Sequence, residues 1–169
     1  VSIRLSDGAV ILLEDVLFED HIIEAKISYG GIQTTALTMQ NLLTGSTYTL
    51  AKTNNGSYKG ADNGAHKLPQ YFLSGLDGLV HRWQSDGVYV NGTIRVAQER
   101  TPHAYALRLV CGSTFATRFF YIDVYDSTGT NLLYSLKPAL LNKETPGLWD
   151  EVNQKFYGMT SETGTLTVA

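Results

Sequence analysis

The chain has 169 residues, a formal net charge of −3, 16 glycines, 10 tyrosines and a single cysteine. Because lysine and arginine do not cluster, the charge pattern argues against a nucleic-acid partner. One cysteine, Cys111, excludes a disulfide within the chain, and no apolar run is long enough to predict membrane insertion. The length suits one domain that buries about two thirds of its unfolded surface.

Alternating polar and apolar residues, bounded by turn signals, predict short β-strands along the whole chain. In chain order the predicted strands are Val10–Leu13, Ile22–Tyr29, Gln33–Thr38, Ser46–Ala51, Tyr71–Leu73, Leu79–Gln84, Val88–Val90, Thr93–Gln98, Ala104–Val110, Phe115–Tyr125, Leu132–Leu136, Lys155–Tyr157 and Leu166–Val168. Asp-Gly and Asn-Gly pairs between them are typical of hairpin turns. We therefore predict an all-β fold of two packed antiparallel sheets.

The segment from Asn54 to Tyr71 is polar, rich in glycine and dotted with aromatic residues. Its pattern predicts a long loop, and loops of this length are often functional. A surface excursion without function is the alternative interpretation.

Side chains suited to a sugar occur in two places. Asn, Asp, Gln, His and Arg pair with sugar hydroxyls, and aromatic rings pack on the apolar face of a pyranose. In the strand around Trp83, alternation places His81 and Trp83 on one face and Arg82 and Gln84 on the other. The candidate carbohydrate-binding residues are Tyr58, Asp62, Asn63, His66, Tyr71, Trp83 and Tyr89. For Trp83, a place in the core between the sheets is the competing interpretation.

Patterns for catalysis or metal binding are missing from the sequence. The acidic pairs Glu14-Asp15 and Glu19-Asp20 point to opposite faces of a strand and suit a solvated rim. The four histidines lack the spacing of metal ligands, so no metal site is predicted. The sequence also lacks a nucleophile elbow, a phosphate loop and a dinucleotide fingerprint.

Two motifs near the end of the chain carry a resemblance to a known family. They are PGLWDEVNQKFY from Pro146 to Tyr157 and ETGTLT from Glu162 to Thr167. This region resembles the C-terminal edge of the concanavalin-like, laminin-G-like jelly-roll domains of phage virion proteins and bacterial surface proteins. The likeness extends more weakly to the residues from Arg118 to Leu133 and from Asp86 to Gly92.

The resemblance implies a jelly-roll sandwich in which Trp149, Asp150 and Phe156 have a structural role, the segment turning back to pack under the sheet. We likewise expect the strand in which Tyr121, Val124 and Tyr125 alternate with Ile122 and Asp123 to build the core of the sandwich. Glycosidases on this fold carry a Glu-x-Asp-x-x-Glu strand, which this sequence lacks. Some relatives bind calcium through loop carboxylates, for which Asp62, Asp77 or Asp126 would serve, but we predict no cofactor.

The expected function is that of a non-catalytic carbohydrate-binding module in a phage tail or other host-recognition protein. Its partners would be a bacterial surface polysaccharide and a parent virion or surface protein, and it would lie on a virion or a cell surface. We take residues 1–169 as one domain excised from that parent, since the chain opens on Val1. A structural virion domain that contacts only protein is the alternative, and a glycoside hydrolase or lyase is the third.

Overall fold

The computed structural model describes residues 1–19, 22–29, 34–41, 47–52, 57–62, 71–72, 78–84, 86–97, 104–110 and 117–169. Side chains are described at 1–13, 22–28, 78–82, 84, 86–87, 89–94 and 117–169. Within these ranges the chain is all-β, with no helix, and therefore none that could cross a membrane. The strands are β1 (Ile3–Ser6), β2 (Val10–Glu19), β3 (Ile22–Tyr29), β4 (Thr34–Asn41), β5 (Thr47–Lys52), β6 (Ser57–Asp62), β7 (Tyr71–Phe72), β8 (Leu79–Gln84), β9 (Gly87–Val90), β10 (Thr93–Ala97), β11 (Ala104–Val110), β12 (Thr117–Tyr125), β13 (Leu132–Leu141), β14 (Thr145–Asp150), β15 (Lys155–Tyr157) and β16 (Thr165–Val168).

Hydrogen bonding joins these strands into two antiparallel sheets. The ten-stranded sheet runs β10-β9-β8-β3-β12-β13-β14-β15, and β1 pairs with both β12 and β16. The six-stranded sheet runs β2-β11-β4-β5-β6-β7. Strand β3 lies between β8 and β12, so segments about 60 and 100 residues apart in the chain become neighbours.

The core lies on one face of the ten-stranded sheet. Its fully buried side chains include Ile27 of β3 and Phe119, Ile122 and Val124 of β12. Ala9, Ile11 and Leu13, from the beginning of β2 and the turn before it, belong to the same apolar cluster. The beginning of β2 and the turn before it therefore pack against the apolar face of the ten-stranded sheet. At about 25 cal/mol per Å², this buried apolar surface is the main source of stability.

Each predicted strand overlaps a strand of the structure, and four have the predicted bounds: β3, β8, β11 and β15. The prediction that 54–71 is one long loop is wrong, since Ser57–Asp62 forms β6 and pairs with β5 and β7. Strands β1 and β14 are further additions.

Strand β14 contains a proline at a position where a sheet tolerates one. Pro146 pairs only with Leu140 of β13, because β15 reaches no further than Leu148. Pro138 of β13 likewise has a register partner in β14 but none in β12, whose described pairing with β13 ends at Leu136. A proline lacks the N–H needed for a ladder on both sides, so such one-sided positions suit it.

Candidate functional site

The ten-stranded sheet turns one face away from the core, and polar and aromatic side chains cover it. We call this surface the polar face. Along β12 it carries Arg118, Tyr121, Asp123 and Tyr125, which alternate with the buried Phe119, Ile122 and Val124. Other members in the described part of the chain include Arg4, Glu24, Lys26, Ser28, Arg82, Gln84, Tyr89, Ile94, Ser135, Lys137, Trp149, Phe156 and Thr167.

A charged row crosses the polar face from β8 to β13. Arg82, Glu24, Asp123 and Ser135 follow one another as direct register partners on four neighbouring strands. Arg82 Nη1 donates to Glu24 Oε2 at 3.2 Å, and Ser135 Oγ donates to Asp123 Oδ1 at 2.8 Å. Lys137 Nζ lies 3.4 Å from the same Asp123 oxygen. Each carboxylate of the row thus has its own cation.

Beyond Arg82, the row continues into the β8–β9 hairpin. Arg82 Nε donates to Gln84 Oε1 at 3.0 Å, and Gln84 Nε2 donates to Asp86 Oδ1 at 3.0 Å. The Tyr89 hydroxyl donates to Asp86 Oδ2 at 2.7 Å, and this bond raises the pKa of Tyr89. At neutral pH Tyr89 is therefore a protonated phenol whose ring is held in place from its hydroxyl end.

A second, more aromatic row lies beside the charged one. Lys137 Nζ sits 4.8 Å from the centre of the Tyr121 ring, and Lys137 is the register partner of Trp149, which in turn faces Phe156 on β15. Trp149 is 37% exposed. Cations over aromatic rings contribute roughly 0.5–1 kcal/mol at exposed sites. The row offers ring surface to a ligand next to the hydrogen-bonding groups of the charged row.

Tyrosines at the centre of the face connect the two rows. The Tyr121 hydroxyl donates to Glu24 Oε1 at 2.9 Å, and burial together with this bond raises the pKa of Tyr121. Burial also raises the pKa of Tyr125, whose ring lies 5.4 Å from the Arg82 guanidinium carbon. Both phenols remain protonated at neutral pH and present half-buried rings on the surface.

The expectation that this stretch of β12 builds the core is confirmed for Val124 and is wrong for Tyr121 and Tyr125, which lie on the polar face. The buried side chains of β12 in this stretch are Ile122 and Val124, and the tyrosines alternate with them. Trp149 also differs from its expected packed role, since its side chain is exposed on the polar face. These side chains were missed as functional candidates, although strict alternation from Tyr121 to Tyr125 is visible in the sequence.

Asp150 has the structural role that the resemblance implies for it. Its buried carboxylate accepts backbone N–H bonds from Ser135, Val152 and Asn153 at 3.0–3.3 Å, and the Asn153 side chain donates to it at 2.6 Å. Asn153 also donates to the Leu133 carbonyl at 2.9 Å. These bonds fix the β14–β15 turn and thereby position Trp149 and Phe156.

The predicted carbohydrate-binding residues fall on different sheets. Residues 58 and 71 are direct register partners on β6 and β7, and residue 62 ends β6. Trp83 and Tyr89 belong to β8 and β9 of the larger sheet, where position 83 pairs with Ile23 and Val88. Of the seven predicted residues, only Tyr89 has a described side chain, and it lies on the polar face. Asn63 and His66 lie outside the described residues.

His81 lies on the opposite side of β8 from Arg82 and Gln84, as alternation predicts. Its side chain is fully buried, and its register partners are Ala25 and Val90, both in the core. Burial lowers the pKa of His81 to about 4. The imidazole is therefore neutral at physiological pH and belongs to the core side of the sheet.

Asp126, one of the carboxylates considered for calcium, organises the β12–β13 turn. Oδ1 accepts bonds from the Thr128 hydroxyl and the Thr130 and Asn131 amides, while the Asn131 side chain donates to Oδ2 at 2.5 Å. These hydrogen bonds, led by that of Thr128, lower the pKa of Asp126 to about 2. Asp77 lies outside the described residues. Within the described ranges, no three His, Cys, Asp or Glu side chains group as metal ligands.

The sequence matches no protein-family model and no curated protein.

Proposed function

We propose that this chain is a non-catalytic carbohydrate-binding module of a phage tail or other host-recognition protein, with its two sheets packed as a jelly-roll sandwich. The ligand is a bacterial surface polysaccharide, and the module serves adhesion at a virion or cell surface. The observation that carries the proposal is the polar face, where half-exposed aromatic rings adjoin a row of pre-oriented hydrogen-bonding groups.

The geometry of the face suits sugar recognition for two reasons. Trp149 and Tyr121 provide flat apolar surface for the C–H face of a pyranose. Glu24 and Asp123 are held by Arg82, Lys137, Tyr121 and Ser135, so their remaining lone pairs point at fixed positions for hydroxyl donors. A site on rigid strands loses little entropy on binding, whereas its openness keeps the affinity of one copy weak.

The experiment that tests the proposal measures binding of the fluorescently labelled domain to bacterial cells and extracted wall polysaccharides. Trp149→Ala is the main variant, and Tyr58→Ala and Trp83→Ala examine the two places predicted from the sequence. Val152→Ala is the matched control, because Val152 is 43% exposed in the turn and lies off the polar face. The proposal is supported if the wild-type domain binds saturably, Trp149→Ala binds at least tenfold more weakly, and Val152→Ala binds as the wild type does.

Two results would count against it. A folded domain that binds none of the cells or polysaccharides contradicts carbohydrate recognition. Release of new reducing ends from any polysaccharide contradicts the non-catalytic mechanism and favours a hydrolase.

A second candidate function is a structural virion or surface-protein domain that contacts only protein. It is favoured by exposed apolar side chains at the β13–β14 hairpin, where Leu140 is 47% and Leu141 is 44% exposed. Large exposed apolar residues close together are typical of protein contacts. Concentration-dependent association in sedimentation equilibrium, lost in Leu140→Ser and Leu141→Ser and accompanied by no glycan binding, would favour this candidate.

A further inference from the structure

Two arginines face each other at one end of the polar face. Arg4 of β1 and Arg118 of β12 are direct register partners, and both side chains are exposed. Side chains in such a pair begin about 5 Å apart at their Cβ atoms. The two guanidinium groups can therefore reach the same region of the surface.

These arginines differ from the other cations of the face. Arg82 pairs with Glu24, Lys137 pairs with Asp123, and Lys26 lies over the Phe120 ring, whereas neither Arg4 nor Arg118 has an ion pair or a ring contact in the described part of the chain. Their outer neighbours in register are Ser28 on β3 and Thr167 on β16. The row therefore reads hydroxyl, guanidinium, guanidinium, hydroxyl, so it carries hydrogen-bond donors and positive charge and no carboxylate.

Like charges directly opposite one another destabilise a sheet, and an anion between them relieves the repulsion. Guanidinium groups also present forked donors that match the oxygens of a carboxylate or a phosphate. Since the whole chain carries a net charge of −3, attraction of an anion to this place depends on the local pair. The arrangement has the charge and the donors of an anion subsite.

The pair is continuous with the aromatic part of the face. Arg118 and Tyr121 lie about 7 Å apart along the sheet, because a bulge in β12 sets them opposite Ser28 and Lys26, which are two residues apart on β3. Lys26 is the register partner of Tyr121, and its Nζ lies 4.9 Å from the centre of the Phe120 ring. A ligand that stacks on Tyr121 can therefore extend to the arginines without leaving the sheet.

We propose that Arg4 and Arg118 bind the acidic group, carboxylate or phosphate, of an anionic glycan whose neighbouring sugar rings lie on the polar face. This inference rests on the proposed function and specifies its ligand class. The aromatic row holds sugar rings of any charge, and the arginine pair selects those that carry an acidic substituent.

The experiment titrates the domain with polygalacturonate, poly(glycerol phosphate) and dextran, which are a carboxylate, a phosphodiester and an uncharged polymer. In low salt, at least one acidic polymer is expected to bind tenfold or more tightly than dextran. Arg4→Gln and Arg118→Gln are each expected to weaken that binding about five- to tenfold, and Arg118→Lys less. Lys143→Gln removes an exposed cation in the β13–β14 turn and is the matched control.

A second readout examines the subsite without a glycan. Inorganic phosphate is expected to raise the Tm of the wild-type domain more than that of either glutamine variant. The variants should melt no lower than the wild type in the absence of phosphate, because each substitution removes a like-charge contact. Weakened glycan binding therefore reflects the lost anion contact and not unfolding.

The outcomes separate this inference from the proposed function. Equal binding of dextran and the acidic polymers, unchanged in Arg4→Gln and Arg118→Gln, overturns the anion subsite and leaves the carbohydrate-binding module standing. Failure to bind any polymer or cell overturns both. Single-stranded DNA that binds as tightly as poly(glycerol phosphate) would also overturn the inference, because it would show general polyanion binding.

Discussion

Glu24 and Asp123 face each other across β3 and β12 as direct register partners, and each carboxylate has a cation on its far side. Arg82 holds Glu24, and Lys137 holds Asp123. Two carboxylates opposite each other would repel, so the outer cations are what make the row favourable. The arrangement ties four strands together through polar side chains on the face of the sheet opposite the core.

This order of charges predicts that removing the charge of Arg82 and removing that of Glu24 lower the free energy of unfolding by different amounts. Arg82→Gln is expected to lower the free energy of unfolding by about 1 kcal/mol, since it leaves Glu24 facing Asp123. Glu24→Gln is expected to cost about half of that or less, because it removes the repulsion together with the ion pair. Urea unfolding of both variants and the double variant measures the difference. A larger loss in Glu24→Gln than in Arg82→Gln would contradict the prediction.

A second prediction concerns Gly147, which lies beneath the Phe156 ring. A Cβ at residue 147 would lie 2.4 Å from Phe156 Cζ and 2.4 Å from the Tyr157 carbonyl oxygen, and that oxygen cannot move without the strand. We expect Gly147→Ala to lower the free energy of unfolding by about 2–3 kcal/mol.

Gly158→Ala is the matched control for this substitution, measured in the same urea titration. Its Cβ would meet the same ring at 3.5 Å, an ordinary contact. The control should therefore stay near the wild-type stability. Similar free energies of unfolding for the two alanine variants would show that β14 and β15 pack less closely than they do in the structure.

Sequence reasoning predicted the strands well where alternation is strict and turns are marked by glycine. It missed β14 because the Pro146-Gly147 pair reads as a turn, and only the one-sided pairing of Pro146 makes a strand acceptable there. It also misassigned the two faces of β12. A bulge between Phe119 and Tyr121 shifts the register against β3, so alternation counted through Phe119 gives the wrong face for Tyr121.

The candidate site was harder to predict than the strands, because the charged row depends on strand order. Arg82, Glu24 and Asp123 meet only because β3 lies between β8 and β12. No local pattern specifies which strands of an all-β chain become neighbours. The set around Trp83 was predictable in part, since Arg82, Gln84, Asp86 and Tyr89 are close in sequence and one hairpin holds them together.

A third prediction follows from the hydrogen bonds that surround Asp126. They lower the pKa of Asp126 to about 2 from an ordinary value of 3.8, with the Thr128 hydroxyl as the largest cause. An NMR titration of the carboxyl carbon is therefore expected to have its midpoint near pH 2. Thr128→Ala should raise that midpoint, and Ser127→Ala should leave it unchanged as the neighbouring control. A wild-type midpoint near 3.8 would mean that the turn does not hold this bond network in solution.

A fourth prediction concerns His81, which burial keeps neutral in the folded state. The pKa of its imidazole is lowered from 6.5 to about 4, so between these values the unfolded chain binds a proton that the folded chain does not. The free energy of unfolding therefore has its full contribution from the neutral imidazole above pH 6.5. That contribution is lost as the pH falls towards 4. The loss is of the order of 3 kcal/mol, because one pKa unit corresponds to about 1.4 kcal/mol.

Urea unfolding from pH 7 to pH 4 measures this loss when the wild type is compared with His81→Leu. The leucine variant will differ in stability at pH 7, so the slope with pH is the quantity to compare. Between pH 6.5 and 4 the free energy of unfolding of His81→Leu should fall less steeply than that of the wild type. Asp126 affects both proteins equally, and only at lower pH. Parallel slopes would show that His81 reaches solvent or a charged partner when protonated, and that the core side of β8 is more open than its burial indicates.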